Sequence, residues 1–194
     1  MNIILILFLA AAAALFNFTF AGGIKGKIII GNEALNNVVV YLEPGNKINF
    51  TPPDQPTVMD QINMNFVPHI LPVLKGTEVI FPNSDKIRHS VFSSGKVKKF
   101  DFGTYPPGKE KSITCNEPGI ISILCYIHHD MSAYIVVLET PYFSLTNNEG
   151  DYSINNVAPG NYKLSFWHED IEITSENISI PEQKQVTKNI IIDE

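Results

Sequence analysis

Beyond residue 21 the chain never sustains a 3.6-residue hydrophobic period. Short runs of β-branched and aromatic residues alternate with Gly, Pro, Asn and Asp instead. Ile28-Ile29-Ile30 and Val38-Val39-Val40-Tyr41-Leu42 flank a turn at Gly31-Asn32. Val79-Ile80-Phe81, Ser90-Val91-Phe92, Ile120 to Leu124 and Tyr134 to Leu138 follow. In the tail the apolar positions recur at every second residue: Tyr152/Ile154, Tyr162/Leu164/Phe166, Ile171/Ile173 and Ile178/Ile180, before Ile190-Ile191-Ile192. A period of two sends one face of each strand into a core and the other into water. Many short strands at this spacing predict an all-β chain made of sandwiches.

Residues 23–43 hold only two of these strands, and an isolated hairpin is marginally stable, so they need a partner sheet. The stretch FSLTNNEGDYSINNVAPGNYKLSFW in the tail supplies strand, turn, strand, a Pro159-Gly160 turn and an alternating strand. It resembles the carboxypeptidase regulatory-like domain, and GKIIIGNEALNNVVVYL resembles the opening hairpin of that domain. The resemblance implies one β-sandwich split in sequence, residues 22–46 with 140–194, carrying a second domain inserted at 47–139. Two unrelated sandwiches in series are the alternative.

Residues 1–21 read as a secretory signal peptide. Ile3 to Phe16 is an unbroken apolar run, and Thr19-Phe20-Ala21 places small residues three before and one before a cut. The run is short for a bilayer span, which takes ~20 apolar residues, and no later segment is long and apolar enough. The expectation is an exported protein, periplasmic or extracellular, with no integral membrane span after cleavage. The signal carries no charged side chain, so the net charge of −6 belongs to the remainder. An acidic chain without a Lys/Arg cluster is not expected to bind nucleic acid.

The candidate chemistry lies within 47–139: His89, then Cys125, His128 and Met131 packed into CYIHHDM. A soft thiolate, two imidazoles and a thioether suit copper in both oxidation states, with Met as a weak axial donor. Three donors on one tight loop can converge on a point, and His89 ties that loop to another strand. The surrounding residues resemble the plastocyanin-like cupredoxins. Phe66-Val67-Pro68 matches their Phe-x-Pro strand start, and Gly76-Thr77-Glu78-Val79-Ile80-Phe81-Pro82-Asn83 the strand leading to the first His ligand. Gly119 to Cys125 keeps the family's separation, and the two residues between His128 and Met131 give the short loop seen in amicyanin. The resemblance implies a Greek-key sandwich with one type 1 copper on His89, Cys125, His128 and Met131. The combined architecture also resembles exported proteins labelled methylamine utilization proteins, a label that carries no methylamine chemistry with it. Ser90 stands where plastocyanins carry Asn, whose side chain staples the ligand loops together; a hydroxyl can still hydrogen-bond.

Several residues have more than one reading. His129 is the second imidazole of the loop; if it bound instead of His128, Met131 would lie too close in sequence for an axial position. Asn116-Glu117-Pro118-Gly119 reads as a turn, so a hairpin would pair Cys115 with Ile120 and leave Cys125 about 16 Å away along the strand. A disulfide needs Cα atoms within about 7 Å, so Cys115 is expected to be a small buried hydrophobe. His69 is a packing or hydrogen-bonding residue, or an additional metal contact. Met59 and Met64 are expected to pack.

The first functional expectation is a one-electron carrier whose electrons leave by the edge of His128. Ile127 and Tyr134 would contribute to the docking face, and an acidic surface suggests a basic redox partner such as a cytochrome. Copper storage, sensing or delivery is the second, and a structural sandwich with a vestigial site the third. A saturated four-donor site leaves no position for substrate, so no enzyme is expected.

Overall fold

The computed structural model of the chain describes residues 21–193, so the segment read as a signal peptide lies outside it except for Ala21. Among the described residues every helical or extended element is a strand, as the alternating patterns predict. Asp151–Val157 buries Tyr152, Ile154 and Val157. Its last inward residue is out of phase because a bulge slips the register against the first strand, and Asn156 takes a φ of 58° there.

Ten strands between Thr57 and Leu138 pair only with one another. Five form one sheet in the order Phe100–Tyr105, His89–Ser93, Gly119–Leu124, Ser132–Leu138, Ile70–Leu74, the last two parallel. Facing it is a three-stranded sheet of Glu110–Thr114, Glu78–Pro82 and Thr57–Val58. Phe81, Val91, Ile121, Ile123 and Ile135 are at the core between them. The hairpin of Asp60–Ile62 and Asn65–Val67 lies at one end of this sandwich.

The other strands form a second sandwich from both ends of the chain. Gly22–Ile30 pairs with Asp151–Val157, Gln185–Thr187, Ile190–Ile192 and the two-residue Glu33–Ala34. In the opposite sheet Val39–Pro44 lies between Phe143–Leu145 and Gly160–Trp167, with Glu176–Ile180 beyond. Ile24, Ile28, Leu42, Ile154 and Leu164 fill the space between.

The run Ile135-Val136-Val137-Leu138 is buried on both faces, and its position explains why. Ile135 and Val137 face the core of the first sandwich, while Val136 and Leu138 join Val39 and Ile70 in a third cluster between the two sandwiches. A strand covered on both sides has no need of polar alternation.

The Ile171/Ile173 alternation forms no strand, and two expected pairings fail. Ile28–Ile30 and Val38–Leu42 are not partners across Gly31-Asn32, because that turn leads only into Glu33–Ala34. Val38 is claimed by the tail: its N–H donates to Thr146 Oγ1, and Thr146 N–H donates back to its carbonyl, both at 2.9 Å. The Cys115–Ile120 hairpin is absent too. Glu110–Thr114 pairs with Glu78–Pro82, whereas Gly119–Leu124 pairs with Ser132–Leu138 and touches His89–Ser93. The Asn116–Gly119 turn therefore crosses from sheet to sheet, with Cys115 N–H bonded to the Thr77 carbonyl at 2.9 Å. Turn residues specify a reversal but not which sheet receives the next strand.

Gly26 tests how closely the tail seats. A Cβ there would lie 1.7 Å from the Lys188 carbonyl oxygen, beside the Lys188 N–H bond to Lys25 O at 2.8 Å. Gly26→Ala is expected to lower stability by about 1–3 kcal/mol, seen as a fall in thermal midpoint. An unchanged midpoint would mean that the tail does not sit this close.

Candidate metal centre

The topology gathers the chemistry at one end of the five-stranded sheet. His89 is the first residue of its strand, Cys125 follows the last residue of the neighbouring strand, and Met131 precedes the first residue of the next. The Cys125–Met131 turn thus joins two adjacent antiparallel strands, and His89 enters from the strand beside them. His89, Cys125 and Met131 are buried, and His128 is half-buried.

The ligand atoms of His89, Cys125 and His128 all lie within 4.8 Å of one another. The two Nδ1 atoms are 3.0 Å apart, and Cys125 Sγ is 3.8 Å from His128 Nδ1. With bonds of about 2.0 Å to nitrogen and about 2.3 Å to sulfur, an ion in the plane of three such donors separates nitrogens by ~3.5 Å and sulfur from nitrogen by ~3.7 Å. The His89–His128 and Cys125–His128 separations fit a trigonal ion within half an ångström. Met131 lies in the same turn, its N–H donating to the His128 carbonyl at 3.0 Å.

The ring of His89 is aimed by a residue that sequence reasoning missed. Its Nε2 lies 2.9 Å from Asp85 Oδ2, and in the neutral ring that Nε2–H donor leaves Nδ1 as a free acceptor facing Cys125 and His128. Asp85 also accepts the N–H groups of Met64 at 2.7 Å and Asn63 at 3.1 Å. The Met64 N–H above all, with His89 and Asn63, holds its carboxyl below the usual carboxylate range despite partial burial. Asn83, at the end of the strand leading to the first histidine, shapes the loop in between. Its amide donates to the Ile87 carbonyl at 2.9 Å, and its Oδ1 accepts Asp85 N–H at 3.1 Å. An acid four residues before a histidine in a loop follows no periodicity, so no pattern in the sequence points to Asp85.

Ser90 does the stapling that its hydroxyl allowed. Its Oγ accepts Tyr126 N–H at 2.8 Å and lies 3.6 Å from Cys125 Sγ, so one side chain holds the ligand turn to the His89 strand. Tyr126 stacks on Phe92 with centroids 3.7 Å apart and planes 2° from parallel, while remaining 55% exposed.

The other singled-out residues lie elsewhere. His129 is exposed and outside the cluster. His69 is held by Ser132 and Glu169 rather than by the cluster. Met59 is core, but Met64 is 54% exposed at the hairpin tip, contrary to the packing expected of it. Both cysteines are free, and burial pushes the Cys115 thiol up to about 11.

No protein-family model matches the chain, and no curated protein matches it. Among solved structures it is similar to a Cu-containing nitrite reductase (NirK) from Thermus scotoductus SA-01, at 26% identity and a TM-score of 0.42, covering 44% of this chain and 23% of that one. The chain thus spans about a quarter of that neighbour's length. It is also similar to a reduced Cu(I) form of an amicyanin mutant, at 21% identity, covering 51% of this chain and 98% of that one with a TM-score of 0.41. A second reduced amicyanin mutant gives 21%, 51%, 98% and 0.42. Similarity at this level carries no functional argument, and the reading below rests on the site itself.

Removing the carboxylate behind His89 by Asp85→Ala is expected to weaken Cu(II) binding by about 10–100-fold, measured by competitive titration. Cys115→Ala should leave that affinity unchanged, since its thiol takes no part in the cluster. Ser90→Ala leaves the Tyr126 N–H without its partner and removes the hydroxyl beside the buried sulfur. Its expected cost is about 1–3 kcal/mol in chemical unfolding.

Proposed function

We propose that the protein is an exported, cupredoxin-type carrier that holds one type 1 copper ion through His89, Cys125, His128 and Met131. It would pass single electrons to a redox partner protein such as a cytochrome. The observation that carries this reading is the convergence of two imidazole Nδ1 atoms and one thiol sulfur, each buried or half-buried, with Asp85 behind His89 and Ser90 beside Cys125. Copper bound there supplies one-electron redox chemistry. The chain's part is to keep the donors still between the two oxidation states. Asp85 fixes the His89 ring, Ser90 fixes the Cys125 turn to its neighbouring strand, and the Met131 N–H closes the turn on His128. Small movement of the donors means a small reorganisation cost for each electron.

His128, half-buried, is the donor nearest to solvent, and the exposed Ile127 and Tyr126 lie beside it in the chain. Tyr134 does not belong to that face: its ring packs between His69 and Trp167, with centroids 5.7 and 5.3 Å away. The acidity of the chain does not come from the proposed copper domain. Residues 47–139 carry nine acidic and nine basic side chains, while 140–194 carry nine acidic and three basic. Net charge therefore does not choose the partner's sign at this site.

The domain reading is part of the same proposal: a copper domain at 47–139 inserted into a carboxypeptidase regulatory-like sandwich of 22–46 and 140–194. Support comes from the strand pairing, in which Gly22–Ile30 finds its neighbours only in Glu33–Ala34 and the tail, and Val39–Pro44 only in the tail. Export is supported by the apolar run at Ile3 to Phe16, and no helix among the described residues is long and apolar enough to cross a membrane.

The mature chain loaded with Cu(II) should show an intense thiolate-to-copper visible band and narrow copper hyperfine splitting in EPR, both lost in Cys125→Ser. Copper retained in Cys125→Ser but lost in His69→Ala would replace electron transfer with copper handling. Absence of copper binding would leave a structural sandwich.

A further inference from the structure

His69 lies outside the proposed ligand set, yet it is held on every side. Its carbonyl accepts Tyr134 N–H at 2.9 Å, ring Nδ1 lies 3.0 Å from the Ser132 carbonyl, and Nε2 lies 2.8 Å from Glu169 Oε1. Ser132 immediately follows Met131, and Glu169 stands two residues beyond the Gly160–Trp167 strand of the other sandwich. The histidine therefore spans from the end of the ligand turn to the tail. It does so at the copper end of the apolar junction in which Tyr134 packs on Trp167.

Hydrogen accounting makes this link specific. The Ser132 carbonyl only accepts, so Nδ1 donates to it. A carboxylate also only accepts, so Nε2 donates as well. Both bonds form only when ring and carboxyl together hold one proton more than a neutral imidazole beside a carboxylate. The side chains are 38% and 23% exposed, and a half-exposed pair of this kind adds little to global stability. Its consequence is positional.

We propose that His69 is a positioning residue for the copper site: it ties the carbonyl after Met131 to Glu169, so that the terminal sandwich braces the ligand turn from outside. This rests on the ligand set proposed above. Met131 is the weakest of the four donors, and its sulfur position follows the backbone that the brace holds.

The test compares His69→Ala, Glu169→Ala, the double variant and Glu169→Gln in the mature chain. Copper-loaded protein reports the axial donor through the ratio of its visible bands and its EPR hyperfine splitting. Metal-free protein reports the turn itself through amide hydrogen exchange at Met131 and Ser132. Both alanine variants are expected to shift the spectra in the same direction and to speed exchange severalfold, with the double variant no further changed than either single. Glu169→Gln should restore the parent behaviour, because the amide can donate to an unprotonated Nε2 while Nδ1–H keeps Ser132. Spectra and exchange unchanged in the single variants, with only the thermal midpoint lowered, would overturn the proposal; so would effects that add in the double variant. Should the parent chain bind no copper, the ligand reading fails, while exchange in the metal-free chain still decides the brace.

Discussion

The proposed site depends on one constraint: a seven-residue turn, Cys125 to Met131, must close over the end of the strand that begins at His89. The sheet order makes this possible because the strands before and after the turn are neighbours, and the His89 strand touches the first of them. Closure alone would leave the donors free to drift. Ser90 prevents that from the His89 side, with its oxygen between Tyr126 N–H and Cys125 Sγ. Asp85 removes the remaining freedom of the His89 ring by engaging the nitrogen that faces away from the site. Buried polar groups of this kind are stable only when each has its partner, and here the partners also aim the donors.

The two sandwiches are joined through shared structure rather than a loose linker. Ser132–Leu138 serves two cores at once, one on each face, so movement of the terminal sandwich is opposed by the strand that leaves the ligand turn. At the end of this apolar junction nearest Met131 lies the Glu169–His69–Ser132 chain of hydrogen bonds. Apolar packing resists separation but is indifferent to small sliding, whereas hydrogen bonds are directional. The junction therefore combines a non-directional grip with one directional stop beside Met131.

Much of this was legible in the amino-acid order because the information is local. Period-two alternation marks strands wherever one face is wet, as in Asp151–Val157. The spacing of Cys125, His128 and Met131 lies within one turn, so their grouping needed no knowledge of the fold. Ser90, next to a ligand, was recognisable as a hydrogen-bonding substitute for Asn. Where reading failed, the missing information was non-local. Gly31-Asn32 and Asn116–Gly119 announce turns, but the choice of next partner was made by Thr146 in one case and Thr77 in the other.

By itself, then, the order of residues determined the β character, many of the strands and turns, and the grouping of Cys125, His128 and Met131 in one short stretch, since each depends on side chains a few positions apart. Tertiary structure alone decided which sheet each strand joined, that Asp85 stands behind His89, and that His69 reaches Glu169 a hundred residues away. The reason is physical: a hydrogen bond is set by distance and direction in space, and sequence separation constrains neither once the chain has crossed between sheets.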